Sequence, residues 1–77
     1  MHIHIAKVNG ILFSGEADSL TAPGTGGELT ILTHHVPLVT TLKEGRLTVK
    51  RAGGEVFTHD VERGILEVTT TSATVLL

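Results

Sequence analysis

The chain has 77 residues, of which 40% are hydrophobic, and its only aromatic side chains are two Phe. Six basic and eight acidic residues give a formal net charge of −2, so no global positive field attracts nucleic acid or anionic lipid. The length supports one domain with a small core, and the scarcity of aromatic residues argues against a module that stacks on bases or sugars. We therefore expect a single domain, residues 1–77, that gains stability from a permanent partner.

The sequence contains no cysteine, which excludes a disulfide framework and a thiolate metal site. Its first ten residues show no basic leader followed by an apolar run, so no signal peptide is expected. No apolar run is long enough to span a bilayer. We expect any association with a membrane to come through a partner.

Apolar and polar residues alternate from the start of the chain. In residues 2–8 the two isoleucines share one face and His2 and His4 share the other, as in a half-buried strand. Asn9-Gly10 then supplies the positive-φ residues of a tight hairpin turn. The first predicted element is therefore a strand that enters a hairpin.

A glycine-rich loop, Gly24–Gly27, precedes the next pattern of interest. Phosphate-binding loops present backbone N–H groups at the start of a helix, often with a nearby Lys. Here the loop enters a β-type segment, residues 28–32, that begins with an acid, so we expect a structural turn that presents Glu28 at the surface. Residues 36–42 are also expected to be extended, because they contain Pro37 and several β-branched residues.

The second half of the chain continues the alternation. Residues 46–51 and 55–61 read as strands separated by a turn at Ala52-Gly53-Gly54, and further strands follow around Leu66 and at residues 73–77. Glycine recurs about every ten residues, which is the spacing of short antiparallel strands in sandwiches and barrels. The predicted fold class is all-β, a single antiparallel β-sandwich of about eight to ten short strands.

Five histidines raise the possibility of a metal site. His2 and His4 share a strand face and His34-His35 lie in a predicted loop, so two such pairs could complete a four-nitrogen zinc site. No Cys or carboxylate joins them at a recognisable spacing, and a polar strand face with a polar loop also accounts for them. The sequence has no nucleophile elbow and no Cys nucleophile, so we expect no active site.

The segment Pro23–Gly45, PGTGGELTILTHHVPLVTTLKEG, has an order of glycines, prolines and apolar pairs that strand alternation does not require. It resembles the epsilon subunit of F-type ATP synthases. The matching positions are Pro23, Gly24, Gly27, Glu28, Ile31, Leu32, His35, Pro37, Leu38, Thr40, Leu42 and Gly45. Similar matches at residues 12–16, 64–68 and 73–76 extend the resemblance over the chain, while Thr30, Thr33-His34 and Glu62-Arg63 depart from the family pattern.

The resemblance implies a non-catalytic β-sandwich of the central stalk. Such a subunit binds the gamma subunit and the membrane rotor ring of c subunits, couples ion translocation to ATP synthesis, needs no cofactor, and lies at the cytoplasmic face of the bacterial inner membrane. By motif position, the contact with the rotor ring is expected at Gly26, Gly27 and Glu28. The contact with gamma is expected at His35, Val36, Pro37, Leu38 and Thr40.

Family members usually continue into an α-helical hairpin that is credited with inhibiting ATP hydrolysis and, in some members, with binding ATP. The resemblance ends before that hairpin, so neither activity is expected of these residues. The residues alone leave a second hypothesis, a free-standing β-sandwich that binds a ligand or metal through the His2/His4 face.

Overall fold

The alternating pattern produces nine β-strands in the computed structural model, which describes residues 1–77. The strands are β1 (His2–Lys7), β2 (Gly10–Glu16), β3 (Ser19–Gly24), β4 (Gly27–Leu32), β5 (Leu38–Leu42), β6 (Gly45–Lys50), β7 (Val56–Val61), β8 (Gly64–Val68) and β9 (Ser72–Leu76). A single 3-10 turn, Ala52–Gly54, lies between β6 and β7. No helix of the chain has the length and apolar character needed to cross a bilayer.

The strands form one sheet that curls into two layers. Its order is β2-β1-β9-β8-β5-β3-β6-β7, and β4 pairs with the other edge of β3. Strand β3 belongs to both halves, because Ser19 pairs with Lys50 of β6 while Gly24 pairs with Leu42 of β5. We call β2-β1-β9-β8-β5 the five-strand layer and β4-β3-β6-β7 the four-strand layer.

The predicted all-β sandwich and its number of strands are confirmed. One pair differs from the others in direction, because β1 runs parallel to β9, with His2 beside Ser72 and Ala6 beside Leu76. Alternation shows which residues share a face but not which strands become neighbours. The parallel pairing places the first and last strands side by side in the five-strand layer.

Both layers contribute to a single aliphatic core. All its members except Ala17 lie in strands, mostly at alternating positions: Ile3, Ile5, Ala17, Leu20, Ala22, Ile31, Leu42, Leu47, Val49, Val61, Leu66, Val68, Ala73 and Val75. Burial of such side chains contributes roughly 1.5–3 kcal/mol each for the larger residues. The core therefore fixes which face of every strand points outward.

Two predicted hairpin turns are present, but only the first closes as expected. Gly24 and Gly27 close a hairpin around Thr25 and Gly26, so the glycine-rich loop is a strand-to-strand turn, as predicted. The predicted hairpin after β1 is also present, but Asn9 does not have the positive φ that we expected. A register shift between Ile5 and Ala6 inserts an extra residue into β2, and this bulge changes how the hairpin closes.

Candidate interaction surfaces

The tip of the β3–β4 hairpin contains the residues predicted to meet the rotor ring. Gly26 and Glu28 are exposed and Gly27 is half-buried. The Glu28 carboxylate forms no ion pair with another residue of the chain. The tip is also fixed in place, because the Thr25 N–H donates to the Thr41 carbonyl oxygen at 3.1 Å and the two threonine hydroxyls lie 3.1 Å apart. The hairpin thus presents an uncompensated negative charge on a rigid turn.

The residues predicted to meet gamma lie in the connection from β4 to β5 and in β5 itself. The connection turns at His34, which has a φ of 65°, and the His35 N–H donates to the Leu32 carbonyl oxygen at 3.1 Å. The Nδ1 atom of His35 lies 2.8 Å from the Val36 carbonyl oxygen. Val36 is 74% exposed. This short segment holds an apolar side chain in solvent.

Strand β5 divides the remaining predicted residues between its two faces. Leu38 and Thr40 pair with the buried residues Val68 and Leu66, so they face inward, and Leu38 packs against the core. Val39 points the other way and is 69% exposed. The sequence argument did not single out Val39 as exposed, although alternation with Leu38, Thr40 and Leu42 indicates its outward position.

Val39 lies near a row of mostly aliphatic side chains on the outer face of the five-strand layer. The row crosses five strands in register, through Ile11, Ala6, Leu76, Ile65 and Thr41. Ile11 is 65%, Leu76 54% and Ile65 47% exposed. We call Ile11, Leu76, Ile65 and Val39 the aliphatic face. Val39 lies two residues from Thr41 on the same face of β5, and its cross-strand partner is the exposed Glu67. Exposed apolar residues grouped on one face of a domain are candidates for contact with a partner.

The outer face of the four-strand layer has a different chemistry. Thr30, Thr21, Thr48 and Thr58 lie side by side across its four strands. The Thr21 and Thr30 hydroxyls are 3.2 Å apart. We call this row the threonine face. This row is polar, in contrast to the aliphatic face of the five-strand layer.

The histidine arrangement required by a four-nitrogen zinc site is not present. His2 lies on β1 with its Nε2 atom 3.4 Å from the Ser14 hydroxyl and its Nδ1 atom 3.8 Å from the Glu16 carboxylate. His34 and His35 lie in the β4–β5 connection. The chain holds no group of three or more His, Cys, Asp or Glu residues that could bind a metal ion. The two histidine pairs therefore do not form a four-nitrogen site.

The sequence matches a family model over its whole length. The model describes the β-sandwich domain of the ATP synthase delta/epsilon chain, and it covers residues 1–77. The ATP synthase epsilon chain of Caulobacter vibrioides is 37% identical over 76 residues, which cover 99% of this chain and 87% of that protein. The ATP synthase epsilon chain 1 of Methylococcus capsulatus is 40% identical over 76 residues, 99% of this chain and 54% of that protein. The chain spans about half the length of most of these relatives.

Two solved structures share the fold. A chain of the Euglena gracilis mitochondrial ATP synthase, in a structure of its OSCP, F1 and c-ring, superposes with a TM-score of 0.89 at 21% identity, covering 96% of this chain and 48% of that chain. A chain of the Tetrahymena thermophila mitochondrial ATP synthase, in a structure of its central stalk and c-ring, superposes with a TM-score of 0.80 at 14% identity, covering 99% of this chain and 61% of that chain. At these identities the likeness supports the sandwich architecture.

Proposed function

Because this chain belongs to the family of ATP synthase delta/epsilon β-sandwich domains, we propose that it is a non-catalytic central-stalk subunit of an F-type ATP synthase. The observation that carries the proposal is the family match over residues 1–77, supported by an epsilon chain of which this chain covers 87%. In this role the domain binds gamma and the rotor ring at the cytoplasmic face of the membrane. Rotation of the ring, driven by an ion gradient, then turns gamma through packed interfaces.

The gamma surface that we propose combines the predicted segment with the aliphatic face. His35, Val36 and Pro37 form its edge, and Val39 continues it onto the outer face of β5. Leu38 and Thr40 support this surface from within, since both point toward the interior. Apolar side chains that are exposed in the free domain and buried by a partner are the usual anchors of a permanent interface.

The ring surface that we propose is the hairpin tip, Gly26, Gly27 and Glu28. A single exposed carboxylate on a polar turn suits a polar contact, and such a contact weakens as salt screens it. The Thr25–Thr41 hydrogen bonds join this tip to β5, and the Lys43 N–H adds a bond to the Pro23 carbonyl oxygen at 2.9 Å. Force applied at the tip therefore reaches the proposed gamma surface through hydrogen-bonded strands.

Co-purification with gamma tests the assignment. The wild-type chain should co-purify stably, and Val39→Asp should weaken the complex by about 2 kcal/mol, a factor of about 30, because it places a charge in an apolar contact. Thr58→Asp is the matched control, since Thr58 is exposed in β7 on the threonine face. Equal binding by both variants would place the gamma contact elsewhere, and failure of the wild type to bind gamma would contradict the stalk assignment.

A further inference from the structure

Glu67 places a carboxylate among the exposed aliphatic side chains of the five-strand layer. It is exposed on β8, where Val39 of β5 lies opposite it on one side and Thr74 of β9 on the other. Ile65, two residues earlier on the same face of β8, is 47% exposed. Members of the aliphatic face therefore flank Glu67 both across the sheet and along its own strand.

This carboxylate has no cationic partner within the chain. Glu67 takes part in none of the ion pairs that the chain forms. His4 lies in the same cross-strand row, beyond β9, and forms no ion pair with it. Lys43 follows β5 and Arg63 precedes β8, so both lie at the opposite end of the β5–β8 ladder. The negative charge of Glu67 is therefore uncompensated.

The outer face of the five-strand layer as a whole has acidic but no basic side chains. By strand alternation it carries two carboxylates, Glu16 and Glu67, and neither Lys nor Arg. Glu16 is already paired with the ammonium group of Met1, at 3.3 Å. A partner that complements this face must therefore be apolar opposite the aliphatic residues and positive opposite Glu67.

The position of Glu67 makes its burial inseparable from that of its neighbours. A partner that covers Val39 and Ile65 also covers Glu67, because the three side chains occupy adjacent positions on one face. Taking an unpaired carboxylate out of water opposes binding, and a cation opposite it offsets that cost. A guanidinium suits the position best, since it can donate to both carboxylate oxygens at once.

We propose that Glu67 pairs with a basic side chain of gamma, and that the aliphatic residues around it exclude water from this ion pair. The inference rests on the proposed function and specifies the chemistry of the gamma segment that docks on this face. Glu67 adjoins Val68, which pairs with Leu38 at the start of β5, so the ion pair lies close to the segment predicted to meet gamma. It fixes the register of gamma, because apolar contacts alone are not directional.

Binding to catalytic heads that contain gamma but lack their own epsilon subunit tests the proposal. Glu67→Gln keeps the shape of the side chain and should weaken binding about tenfold, and Glu67→Lys should weaken it about 100-fold, because it opposes two cations. Glu62→Gln and Glu62→Lys are the matched controls and should bind like the wild type, since Glu62 is exposed in the turn before β8 and has no ion pair.

Two further measurements separate an ion pair from an effect on the fold. Rising salt should weaken binding by the wild type more steeply than binding by Glu67→Gln, because only the wild type forms the pair. Glu67→Cys should cross-link to gamma beside a Lys or Arg, and reversing the charge of that residue should restore binding by Glu67→Lys. Circular dichroism should show the same β-type spectrum for all these variants, since the side chain at position 67 is exposed.

The outcomes distinguish this inference from the proposed function. Equal binding by the wild type and both Glu67 variants, with weaker binding by Val39→Asp, would overturn the ion pair and leave the stalk assignment intact. Tighter binding by Glu67→Lys would also overturn it, because the gamma surface would then be acidic. A wild-type chain that does not bind the heads would contradict the proposed function itself.

Discussion

Gly45 matches the family segment and Gly26 lies in the loop predicted to meet the rotor ring, and the structure gives the two glycines different roles. A Cβ added at Gly45 would lie 2.5 Å from the Pro23 Cβ, which is far inside van der Waals contact, and Pro23 is buried. A Cβ added at Gly26 meets no atom within 4 Å, and Gly26 does not have a positive φ. Gly45 is thus required by the packing of β6 against β3, whereas Gly26 is free to serve a contact outside the chain.

We predict that Gly45→Ala lowers the free energy of unfolding by about 1–3 kcal/mol, the usual cost of overpacking. Gly26→Ala is the matched control and should change it by no more than about 0.5 kcal/mol. Urea denaturation monitored by circular dichroism measures both values. Equal effects of the two substitutions would show that the close approach of Pro23 is not the reason why position 45 requires glycine.

At the scale of the strand, the seam between β2 and β7 closes one side of the sandwich. Phe13 and Phe57 pack against each other and supply the apolar part of the seam. Arg51 contacts the Phe13 ring and also forms an ion pair with Glu55, at 3.2 Å. The ion pair is largely exposed and contributes little by itself. The aromatic contact is therefore expected to carry most of the stabilisation at this side.

Phe57→Ala should lower the free energy of unfolding by about 2 kcal/mol, less than for a fully buried Phe because Phe57 is half-buried. It should also speed amide exchange in β2, which loses its contact across the seam. Val56→Ala, at an outward-facing neighbour that is 52% exposed, should do neither. If the free energy of unfolding falls equally in both variants and amide exchange in β2 is unaffected, the Phe13–Phe57 contact does not hold β2 and β7 together.

The sequence predicted the strands well because their inner faces are so regular. Ile3 and Ile5, or Leu47 and Val49, alternate with polar residues, and the core selects them. The aliphatic face was missed because its members stand at positions where an isolated sandwich would place polar residues. Ile65 and Leu76 each adjoin a buried neighbour, and such apolar pairs mark a strand that is apolar on both faces. The parallel β1–β9 pairing depends on contacts distant in sequence, which no local pattern contains.

At the scale of the whole molecule, the two layers have different outer surfaces. The aliphatic face offers a partner apolar area, whereas the threonine face is compatible with water. The hairpin tip lies at the start of β4 and the proposed gamma segment begins just after its end, so β4 joins the two proposed contacts. The proposed stalk role requires such a separation of residues, because one surface would hold gamma while the other follows the ring.

The separation predicts that the two contacts fail independently. In membranes that contain the assembled synthase, Glu28→Lys should reduce ATP-driven ion pumping while ATP hydrolysis and the amount of gamma bound stay near wild-type values, because a reversed charge weakens only the polar contact at the tip. Glu62→Lys is the matched control, since Glu62 is exposed in the turn between β7 and β8 and has no ion pair. Raising the salt concentration should also reduce ATP-driven ion pumping by the wild type, since salt screens the exposed charge of Glu28. Cysteine cross-links from position 28 to gamma and from position 36 to the ring would reverse this orientation, and cross-links to neither partner would contradict the stalk assignment itself.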